Sequence, residues 1–458
     1  MHAVDRRKEE TLLALFRVTL YALIPLSFFL VLSITNPQIL RISRTSAITV
    51  SSFLLMEYLF TRIYGGYQPG IIQARSNLAS MSLSAVFTDL IVYLQLQIMN
   101  VNEANNDSLV IFGIDALLLL AAMGVQLAVI ALFSAVGDRV YFAAHPPLNT
   151  CVITGNEEDR EIICNKLSSH ARHFRIDDCI LYTSEDVRGH VKRAEAIVLY
   201  HLPPAAHQEL IAYAYKHKKV LYFDLNIGNI VSSHSDTYML DDVLMHSHTI
   251  NGLNRPQRFV KRTMDIVVSA LGLLIAGPIM IGCAIAVKAC DGGSVFFKQK
   301  RITRDATVFY VLKFRTMKEH DEDERQHSVE VGDERVTKVG LFLRRWRLDE
   351  LPQLINILVG DMSLVGPRPE MLENIEMYTH DLPEFAYRDR VKAGLTGYAQ
   401  INGKYNTSPR DKLMMDITYI ENYSIWLDIK LILKTILVFF TPESTEGFSR
   451  RDEDEEEV

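Results

Sequence analysis

The sequence predicts a membrane protein of mixed class. It predicts an N-terminal four-helix transmembrane bundle, an α/β Rossmann-like middle domain, and a mainly α-helical C-terminal domain with a re-entrant membrane helix. Four long apolar stretches come first, strands and helices alternate in the middle, and a fifth apolar run has a proline at its midpoint. The length of 458 residues also suits two to four structural units rather than one core.

The N-terminal region, residues 1–145, carries four stretches that approach the roughly 20 apolar residues needed to cross a bilayer. They are residues 12–34, 46–64, 78–99 and 109–133. Basic residues precede the first stretch and flank the loop between the second and third, whereas the loop at 100–107 has none. The positive-inside rule therefore places both ends of the bundle in the cytoplasm, with Arg41 and Arg44 as exceptions. For Asp89 and Asp115, packing at helix ends or inside the bundle is favoured over an ion pathway.

The middle region, residues 146–235, alternates between strand and helix patterns, which is typical of a parallel sheet. The predicted strands are 151–155, 179–182, 196–200 and 220–224, with helices at 159–167 and 205–217. Only Gly155 stands where a dinucleotide-binding loop needs three glycines, so a scaffolding or regulatory role is favoured over residual ligand binding. The five cysteines show no CxxC spacing, which predicts reduced thiols rather than disulfides.

A polar linker is predicted at 236–257, followed by the C-terminal domain at 258–441. Its apolar run, 264–287, is long enough for a full crossing. However, basic residues stand at both ends of the run, and Pro278 removes a helical hydrogen bond at its midpoint. We therefore expect a re-entrant helix within 261–290, broken at Gly277 and Pro278, that enters and leaves the bilayer on one face.

Residues 344–369 read RRWRLDELPQLINILVGDMSLVGPRP and concentrate charge beside a predicted helix at 348–358. Asp349 and Glu350 would stand at its N-terminus, where one acid could attack a substrate while the other helps to hold a metal; an acidic first turn that only caps the helix is the alternative. Two prolines fix the backbone around Arg368, which suits a guanidinium meant to meet phosphate.

Several ordered motifs between about residue 258 and residue 440 resemble the bacterial sugar transferase family, the monotopic polyprenyl-phosphate glycosyl-1-phosphate transferases. The motifs are Lys261-Arg262 with Asp265, Lys313-Phe314-Arg315-Thr316-Met317, Leu348-Asp349-Glu350-Leu351-Pro352-Gln353, Gly360-Asp361-Met362-Ser363, Gly366-Pro367-Arg368-Pro369 and Gly394-Leu395-Thr396-Gly397. Each motif is weak alone, and their order makes the signal strong. Thr303, Ala306 and Lys404 depart from the family pattern.

The resemblance implies transfer of a sugar-1-phosphate from a UDP-sugar to undecaprenyl phosphate, with release of UMP, on the cytoplasmic face of the bacterial inner membrane. It implies Asp349 as the nucleophile that carries the sugar-phosphate covalently, and Glu350 as the ligand of Mg²⁺, with Asp349 beside it. Hard oxygen ligands and two reacting phosphates suit that metal. The expected phosphate and substrate contacts are Arg344, Arg368, Lys313, Arg315, Arg301, Gln400 and Asn402.

The sequence also bears on other functions. The net charge of −7 argues against a nucleic-acid binder. A multi-pass transporter, or a nucleotide-sensing scaffold with an inactive transferase domain, stands as the alternative. A homodimer through the bundle or the middle domain is a reasonable arrangement. The charged insert at 319–334 predicts a mobile loop, and the tail at 442–458 predicts an acidic disordered segment.

Overall fold

The computed structural model describes residues 2–71, 74–99, 114–233, 235–248, 252–317, 336–404 and 407–438. The predicted loop at 100–107, the charged insert and the acidic tail lie outside the described residues. The chain forms two compact units, Met1–Leu225 and Asn226–Val458.

The first unit opens with four helices that share one apolar core. They are α1 His2–Leu32, α2 Arg44–Tyr64, α3 Ala74–Ile98 and α4 Ile114–Ala144. Phe28, Phe53, Met81 and Ile130 contribute one fully buried side chain from each helix. The bundle therefore has the four predicted helices.

Among the described residues, four helical segments are long and apolar enough to cross a membrane: Leu13–Leu32, Arg75–Ile98, Ile114–Ala144 and Arg255–Cys290. They indicate a membrane protein. Helix α2 is not among them, although the sequence predicts it as the second span. Its 21 residues include Arg44, Glu57 and Arg62, which lower its mean hydropathy.

The two acids inside the predicted spans face the bundle, as expected. Asp89 is fully buried in α3 and accepts a hydrogen bond from the Gln126 amide at 3.2 Å. Asp115 lies in the first turn of α4 and accepts a hydrogen bond of 2.6 Å from the Thr35 hydroxyl. Each carboxylate thus has a polar partner on another segment of the unit.

A four-stranded parallel sheet follows the bundle in the same unit. Its strands are β1 Leu148–Thr154, β2 Phe174–Leu181, β3 Ala196–Tyr200 and β4 Val220–Phe223, and its helices are α5 Glu157–Ser168, α6 Val187–Arg193 and α7 Pro204–Lys216. The strand order is β2-β1-β3-β4. The predicted parallel sheet is therefore confirmed, but its order is that of flavodoxin-like sheets rather than the usual 3-2-1-4 Rossmann order.

The loop after β1 lies against the end of β3. A Cβ atom at Gly155 would collide with the carbonyl oxygen of His201. The His201 ring in turn lies 2.9 Å from Asp159 at the start of α5. The turn after β1 is therefore packed against the residue that follows β3 and against the first turn of α5.

The cysteines of this unit differ from the sequence prediction. Cys164 in α5 and Cys179 in β2 form a disulfide, whereas reduced thiols were expected. The two residues are 15 positions apart and meet because α5 connects β1 to the neighbouring strand β2. No local sequence pattern records that contact. Cys151 and Cys283 are free and buried, and Cys290 is free and exposed.

The second unit begins with α8 Ile227–Ser233 and a hairpin of β5 Asp236–Leu240 and β6 Val243–Ser247. The hairpin lies in the stretch predicted to be a linker. All ten of its strand residues are exposed. With no buried face, the hairpin produces no alternation of polar and apolar residues, which is why the sequence did not reveal it.

Helix α9, Arg255–Asp291, runs without interruption through Gly277 and Pro278. The structure does not interrupt the helix at these two residues, and the re-entrant course stays a prediction: Pro278 removes one helical hydrogen bond and is the residue at which α9 can bend. Asn254 and Gln257 form a capping box at the start of α9.

Both ends of α9 contact the rest of the second unit. Near its start, the guanidinium of Arg262 donates to the carbonyl oxygens of Ile357 and Leu358 at 2.6 and 2.7 Å. Near its end, Cys283 and Val287 belong to a buried cluster with residues from later in the chain. The unit therefore lies along α9 rather than against one end of it.

The remaining elements of the second unit are helices and two separate two-stranded sheets. They are β7 Phe296–Ile302, β8 Val308–Phe314, α10 Lys338–Arg345, α11 Gln353–Val359, β9 Ser363–Val365, α12 Leu372–Asp381, β10 Gly394–Thr396, α13 Tyr398–Asn402, α14 Pro409–Glu421 and α15 Ile425–Val438. Strands β7 and β8 form an antiparallel hairpin, and β9 and β10 form a parallel pair. Their core includes Val311, Ile357, Val365 and Tyr419.

Candidate active site

The acid pair lies in a tight turn just before α11. Leu348–Glu350 forms a 3₁₀ turn that begins after Arg347, a residue with a left-handed backbone (φ 51°). Pro352 follows, and α11 starts at Gln353. The predicted helix at 348–358 is thus split, and the acids precede the helix rather than standing on its first turn. A left-handed conformation at a non-glycine residue costs free energy and is often found at functional sites.

Two cations surround the carboxylate of Glu350. The ammonium group of Lys313, near the end of β8, donates a hydrogen bond of 2.9 Å to it. The guanidinium of Arg368 lies 3.8 Å away. Burial alone would raise the pKa of Glu350, but the charges of Lys313 and Arg368 outweigh burial and hold this pKa at about 2. Glu350 is therefore ionised at every pH near neutrality.

The surroundings of Asp349 raise its pKa, whereas those of Glu350 lower the pKa of Glu350. Burial, and then the charge of Glu350, raise the pKa of the Asp349 carboxyl, and Lys313 and Arg344 only partly oppose that shift. Arg344, in the last turn of α10, is oriented by a hydrogen bond of 2.9 Å to the Thr316 hydroxyl. Asp349 is thus the more basic carboxylate of the pair.

The loop from Gly366 to Pro369 follows β9 and carries Arg368, whose side chain approaches the acid pair. The Gly366 N–H donates to the Thr396 carbonyl at 2.9 Å, and the Gly394 N–H donates to the Pro367 carbonyl at the same distance. A Cβ atom at Gly366 would collide with the Lys392 carbonyl oxygen, so only glycine fits there. Backbone hydrogen bonds to strand β10 thereby hold this loop in place. The Arg368 guanidinium is not buried by these contacts and stays half-exposed.

A small pocket collects five of the predicted site residues. We call it the acid-pair pocket, and its lining is Arg301, Val311, Lys313, Glu350, Gln353, Arg368, Pro369, Gly394, Leu395 and Gln400. Arg301 donates a hydrogen bond of 3.0 Å to the Pro369 carbonyl. Burial, and then the neighbouring charge of Arg368, lower the pKa of Arg301 to about 10, so its guanidinium stays cationic at neutral pH.

Asp349 and three of the predicted contacts do not line this pocket. Arg344 acts on Asp349, whereas Asn402 and Arg315 lie elsewhere. Asn402 is exposed and donates to the Tyr398 carbonyl of its own helix. Arg315 is buried at the end of β8 against Gly293. The alternation that predicted one face for Lys313 and Arg315 ends with β8 at Phe314, so the two side chains need not point together.

Sequence reasoning missed the side chains that hold these parts in place. Asn356 of α11 accepts from the Leu312 N–H at 2.9 Å and donates to the Tyr310 carbonyl at 2.8 Å, which fixes β8 beside the acid pair. Arg388 binds the loop that carries Arg368. Both contacts span at least 20 positions in the chain, so no local pattern could have indicated them.

The acid pair offers oxygen ligands of the kind that Mg²⁺ prefers. Among the described residues there is no cluster of three or more histidine, cysteine or acidic side chains that could hold a metal. Asp349 and Glu350 offer only oxygen donors, and Glu350 is ionised. Mg²⁺ commonly binds one or two carboxylates together with substrate phosphates and water. The donor set therefore fits Mg²⁺ that arrives with phosphate, rather than a cage made by the protein alone.

Known proteins are similar to this chain over most of its second unit. The family model for bacterial sugar transferases matches residues 256–442. The UDP-glucose:undecaprenyl-phosphate glucose-1-phosphate transferase of Caulobacter vibrioides is 38% identical over 189 residues, which are 40% of this chain and 71% of that protein. The chain belongs to the bacterial sugar transferase family.

Two longer relatives match the same sugar transferase region. The UDP-N-acetylgalactosamine-undecaprenyl-phosphate N-acetylgalactosaminephosphotransferase of Aeromonas hydrophila is 38% identical over 196 residues, 42% of this chain and 45% of that protein. The glucose-1-phosphate transferase of Escherichia coli (strain K12) that uses UDP-glucose and undecaprenyl phosphate is 41% identical over 203 residues, 43% of each chain. The match therefore spans less than half the length of these two relatives. The family resemblance predicted from the sequence is confirmed.

Proposed function

We propose that this chain transfers a sugar-1-phosphate from a UDP-sugar to undecaprenyl phosphate, releasing UMP and forming a polyprenyl-diphosphate-sugar. Such a product would begin assembly of an exopolysaccharide, capsule or O-antigen type of glycan. The observation that carries the proposal is the acid pair, whose members have opposite pKa shifts within a ring of cations. The relatives described above, which match this region, are named for such transfers.

The first step uses Asp349 as the nucleophile. A carboxylate oxygen of Asp349 attacks the β-phosphorus of the UDP-sugar, and the bond from that phosphorus to the bridging oxygen of the diphosphate breaks. UMP leaves with the bonding electron pair. The raised pKa of Asp349 supports this role because a more basic carboxylate is the better nucleophile once it is ionised.

The second step returns the enzyme to its starting state. A phosphate oxygen of undecaprenyl phosphate attacks the same phosphorus, and the bond between phosphorus and Asp349 breaks. The carboxylate is restored and the sugar-phosphate is now attached to the lipid carrier. Splitting the transfer into two displacements avoids bringing the donor and the acceptor phosphates together in one crowded step.

The cations around the acid pair would neutralise the phosphates. Lys313 and Arg368 lie on the Glu350 side of the pair, and Arg344 acts on Asp349. Arg301 adds positive charge to the same pocket. A cluster of preorganised positive groups stabilises the negative charge of the transferring phosphoryl group. Gln400 is the polar side chain of the pocket best suited to a sugar or uridine contact.

Glu350 and Asp349 would hold Mg²⁺ through their carboxylate oxygens. When bound, Mg²⁺ supplies Lewis-acid polarisation of phosphoryl oxygens. The low pKa of Glu350 keeps its carboxylate available at neutral pH.

Helix α9 would anchor this unit as a re-entrant helix that bends at Pro278, on the cytoplasmic face of the bacterial inner membrane. A spanning helix separates its ends by the hydrocarbon core of about 30 Å. Contacts of one unit with both Arg262 and Val287 support an arrangement in which both ends stay on the same side. Leu274 and Ile275, near the middle of α9, are highly exposed and would face lipid.

A screen of donors tests the proposed function. The full chain in detergent micelles with undecaprenyl phosphate and Mg²⁺ should release UMP from at least one UDP-sugar, and should form the lipid-linked sugar in equal amount. Omitting undecaprenyl phosphate should limit UMP release to one equivalent per enzyme. The proposal is wrong if no UDP-sugar gives a lipid-linked product with protein that is folded and binds UDP.

A further inference from the structure

Arg388 is a buried arginine outside the acid-pair pocket. It lies in the 3₁₀ segment Pro383–Arg390, and only 4% of its side chain is exposed. Its guanidinium donates a hydrogen bond of 2.8 Å to the carbonyl oxygen of Arg368. A buried charge normally has a strong structural or functional reason to be there, because removing it from water is costly.

Other groups fix the orientation of the Arg388 guanidinium. The carboxylate of Asp416, in α14, forms an ion pair with it at 2.9 Å and is 2% exposed. Glu370 lies 3.8 Å away, and the ring of Phe385 lies 4.8 Å below the guanidinium. The planar fork of an arginine can serve several such partners at once. Arg388 therefore links α14 to the backbone of the loop that carries Arg368.

From Pro367 to Pro369, the loop is held in place through its backbone carbonyl groups. Pro367 and Pro369 have no N–H groups, so they cannot donate backbone hydrogen bonds. Arg301 holds the carbonyl of Pro369 at 3.0 Å, and Arg388 holds the carbonyl of Arg368. Two successive carbonyls are thus bound by two arginines, while the Arg368 side chain extends to within 3.8 Å of Glu350.

We propose that Arg388 is a positioning residue: it holds the Arg368 backbone so that the Arg368 guanidinium meets a substrate phosphate beside the acid pair. Arg388 itself does not touch substrate. Asp416 orients the Arg388 guanidinium through their ion pair, and it therefore helps to position Arg368. This inference rests on the proposed function where it is tested by enzyme activity. UDP affinity tests it as well and needs no turnover.

The proposal predicts graded losses. Arg388→Met should lower kcat/KM for the UDP-sugar about 100-fold, the loss expected when a phosphate-binding group is displaced by about 1 Å. Arg388→Lys should recover part of that loss, since a lysine keeps the charge but not the fork. UDP affinity should fall in the same order, and KM for undecaprenyl phosphate should change less.

A double-mutant cycle with Arg368→Ala is the decisive experiment. If Arg388 acts through Arg368, Arg388→Met should cost about 2-fold or less once Arg368 is already alanine, because nothing is left to position. Lys261→Met is the matched control. Lys261 is 7% exposed, pairs with buried Asp428 at 2.6 Å in the same unit, and donates its other hydrogen bond to the Tyr419 hydroxyl rather than to the Arg368 loop. Lys261→Met should change kcat/KM by the same factor whether position 368 is arginine or alanine.

Several outcomes separate the possibilities. An equal loss from Arg388→Met in both backgrounds, like that of Lys261→Met, would make Arg388 a purely structural residue. If Arg388→Met does not fold, Asp416→Asn keeps the arginine and serves in its place in the same cycle. If no UDP-sugar is turned over, the proposed function fails, but the cycle measured as UDP affinity by calorimetry still decides the positioning role.

Discussion

Asp349 and Glu350 are chain neighbours with opposite electrostatic surroundings. Lys313 and Arg368 lower the pKa of Glu350 to about 2, whereas burial and the charge of Glu350 raise the pKa of Asp349. Environments that separate the pKa values of two carboxyl groups commonly give them different roles. The ionised carboxylate of Glu350 is suited to binding a metal ion. The more basic carboxylate of Asp349 is suited to attacking the β-phosphorus of the donor.

The pKa of Asp349 determines how the reaction depends on pH. Only the ionised carboxylate can attack, so kcat/KM should fall as the pH decreases through the raised pKa of Asp349, above the value of about 3.9 for an ordinary aspartate. Glu350→Gln removes the adjacent negative charge and should move this acid limb of the residual activity to lower pH. A pH–rate profile of both proteins measures the shift, and a limb that moves upward would contradict the account.

Asp389 and Asp416 should make the stability of the second unit depend on pH. Burial is the main cause that raises the pKa of each to about 6. A carboxyl with a raised folded-state pKa binds its proton more tightly in the folded state than in the unfolded state. The stability that it contributes is present below pH 4 and is lost as the pH rises through 6.

Melting temperatures of the full chain and of Asp389→Asn between pH 4 and pH 7.5 test this linkage. Asp389→Asn should melt at a higher temperature than the unchanged chain at pH 7.5, and should show a smaller decline as the pH rises. An equal decline in both proteins would assign the pH dependence to other groups.

At the scale of elements, α9 presents one face to protein and another to its surroundings. Lys261 and Asp265 are buried on the protein side, where Asp265 accepts hydrogen bonds from the Ser363 hydroxyl and the Leu364 N–H. Leu271, Leu274 and Ile275 are exposed. This division suits a helix that lies against its own domain at the membrane rather than one that passes through the bilayer alone.

Chemical labelling tests the sidedness of α9. In inside-out vesicles, a membrane-impermeant maleimide should modify exposed Cys290 at the end of α9. It should also modify Arg255→Cys at the start of α9, in a Cys290→Ser background. Labelling in detergent controls for steric access, and buried Cys283 should stay unreacted. Modification of the two ends from opposite faces of the membrane would make α9 a crossing helix.

Local patterns predicted most elements of the fold. Strands β1 and β3 were predicted because apolar residues give each of them a buried face, and helices α5 and α7 because they alternate with the strands. The exposed β5–β6 hairpin has no such face. The uninterrupted course of α9 through Pro278 also could not be read from the sequence, because the surrounding turns decide whether a proline breaks a helix.

The candidate site was predictable where its residues are adjacent in the chain. Asp349, Glu350 and Arg368 belong to one run, so their types and spacing indicated acid and phosphate chemistry. The support from Arg388 and Asp416 was not predictable, because their ion pair joins positions 28 residues apart. The family resemblance placed Asn402 among the substrate contacts, but it lies exposed on α13 and donates to the Tyr398 carbonyl.

At the scale of the whole molecule, the second unit includes more chain than the matched family region. Helix α8 precedes that region, yet Ile230 is buried against Phe385, Leu413 and Ile417. A chain truncated before Asn226 should therefore fold and keep transferase activity. Truncation before Asn251 should lower stability by about 2–5 kcal/mol, the cost of losing one large buried aliphatic side chain.

Thermal or denaturant unfolding of the two truncated chains measures that difference. Ile230→Ala in the full chain serves as the matched control, because it removes the same contact without shortening the protein. Equal stability of both truncated chains would show that α8 contributes nothing to the second unit.

The most direct test of the central claim is to trap the sugar-phosphate on the enzyme. After rapid acid quench of the chain with a UDP-sugar and no lipid acceptor, peptide mass spectrometry should find one sugar-phosphate adduct, on Asp349. Asp349→Asn should lose both the adduct and turnover, whereas Asp361→Asn should keep the adduct. An adduct on a different residue, or normal turnover by Asp349→Asn, would contradict the covalent mechanism.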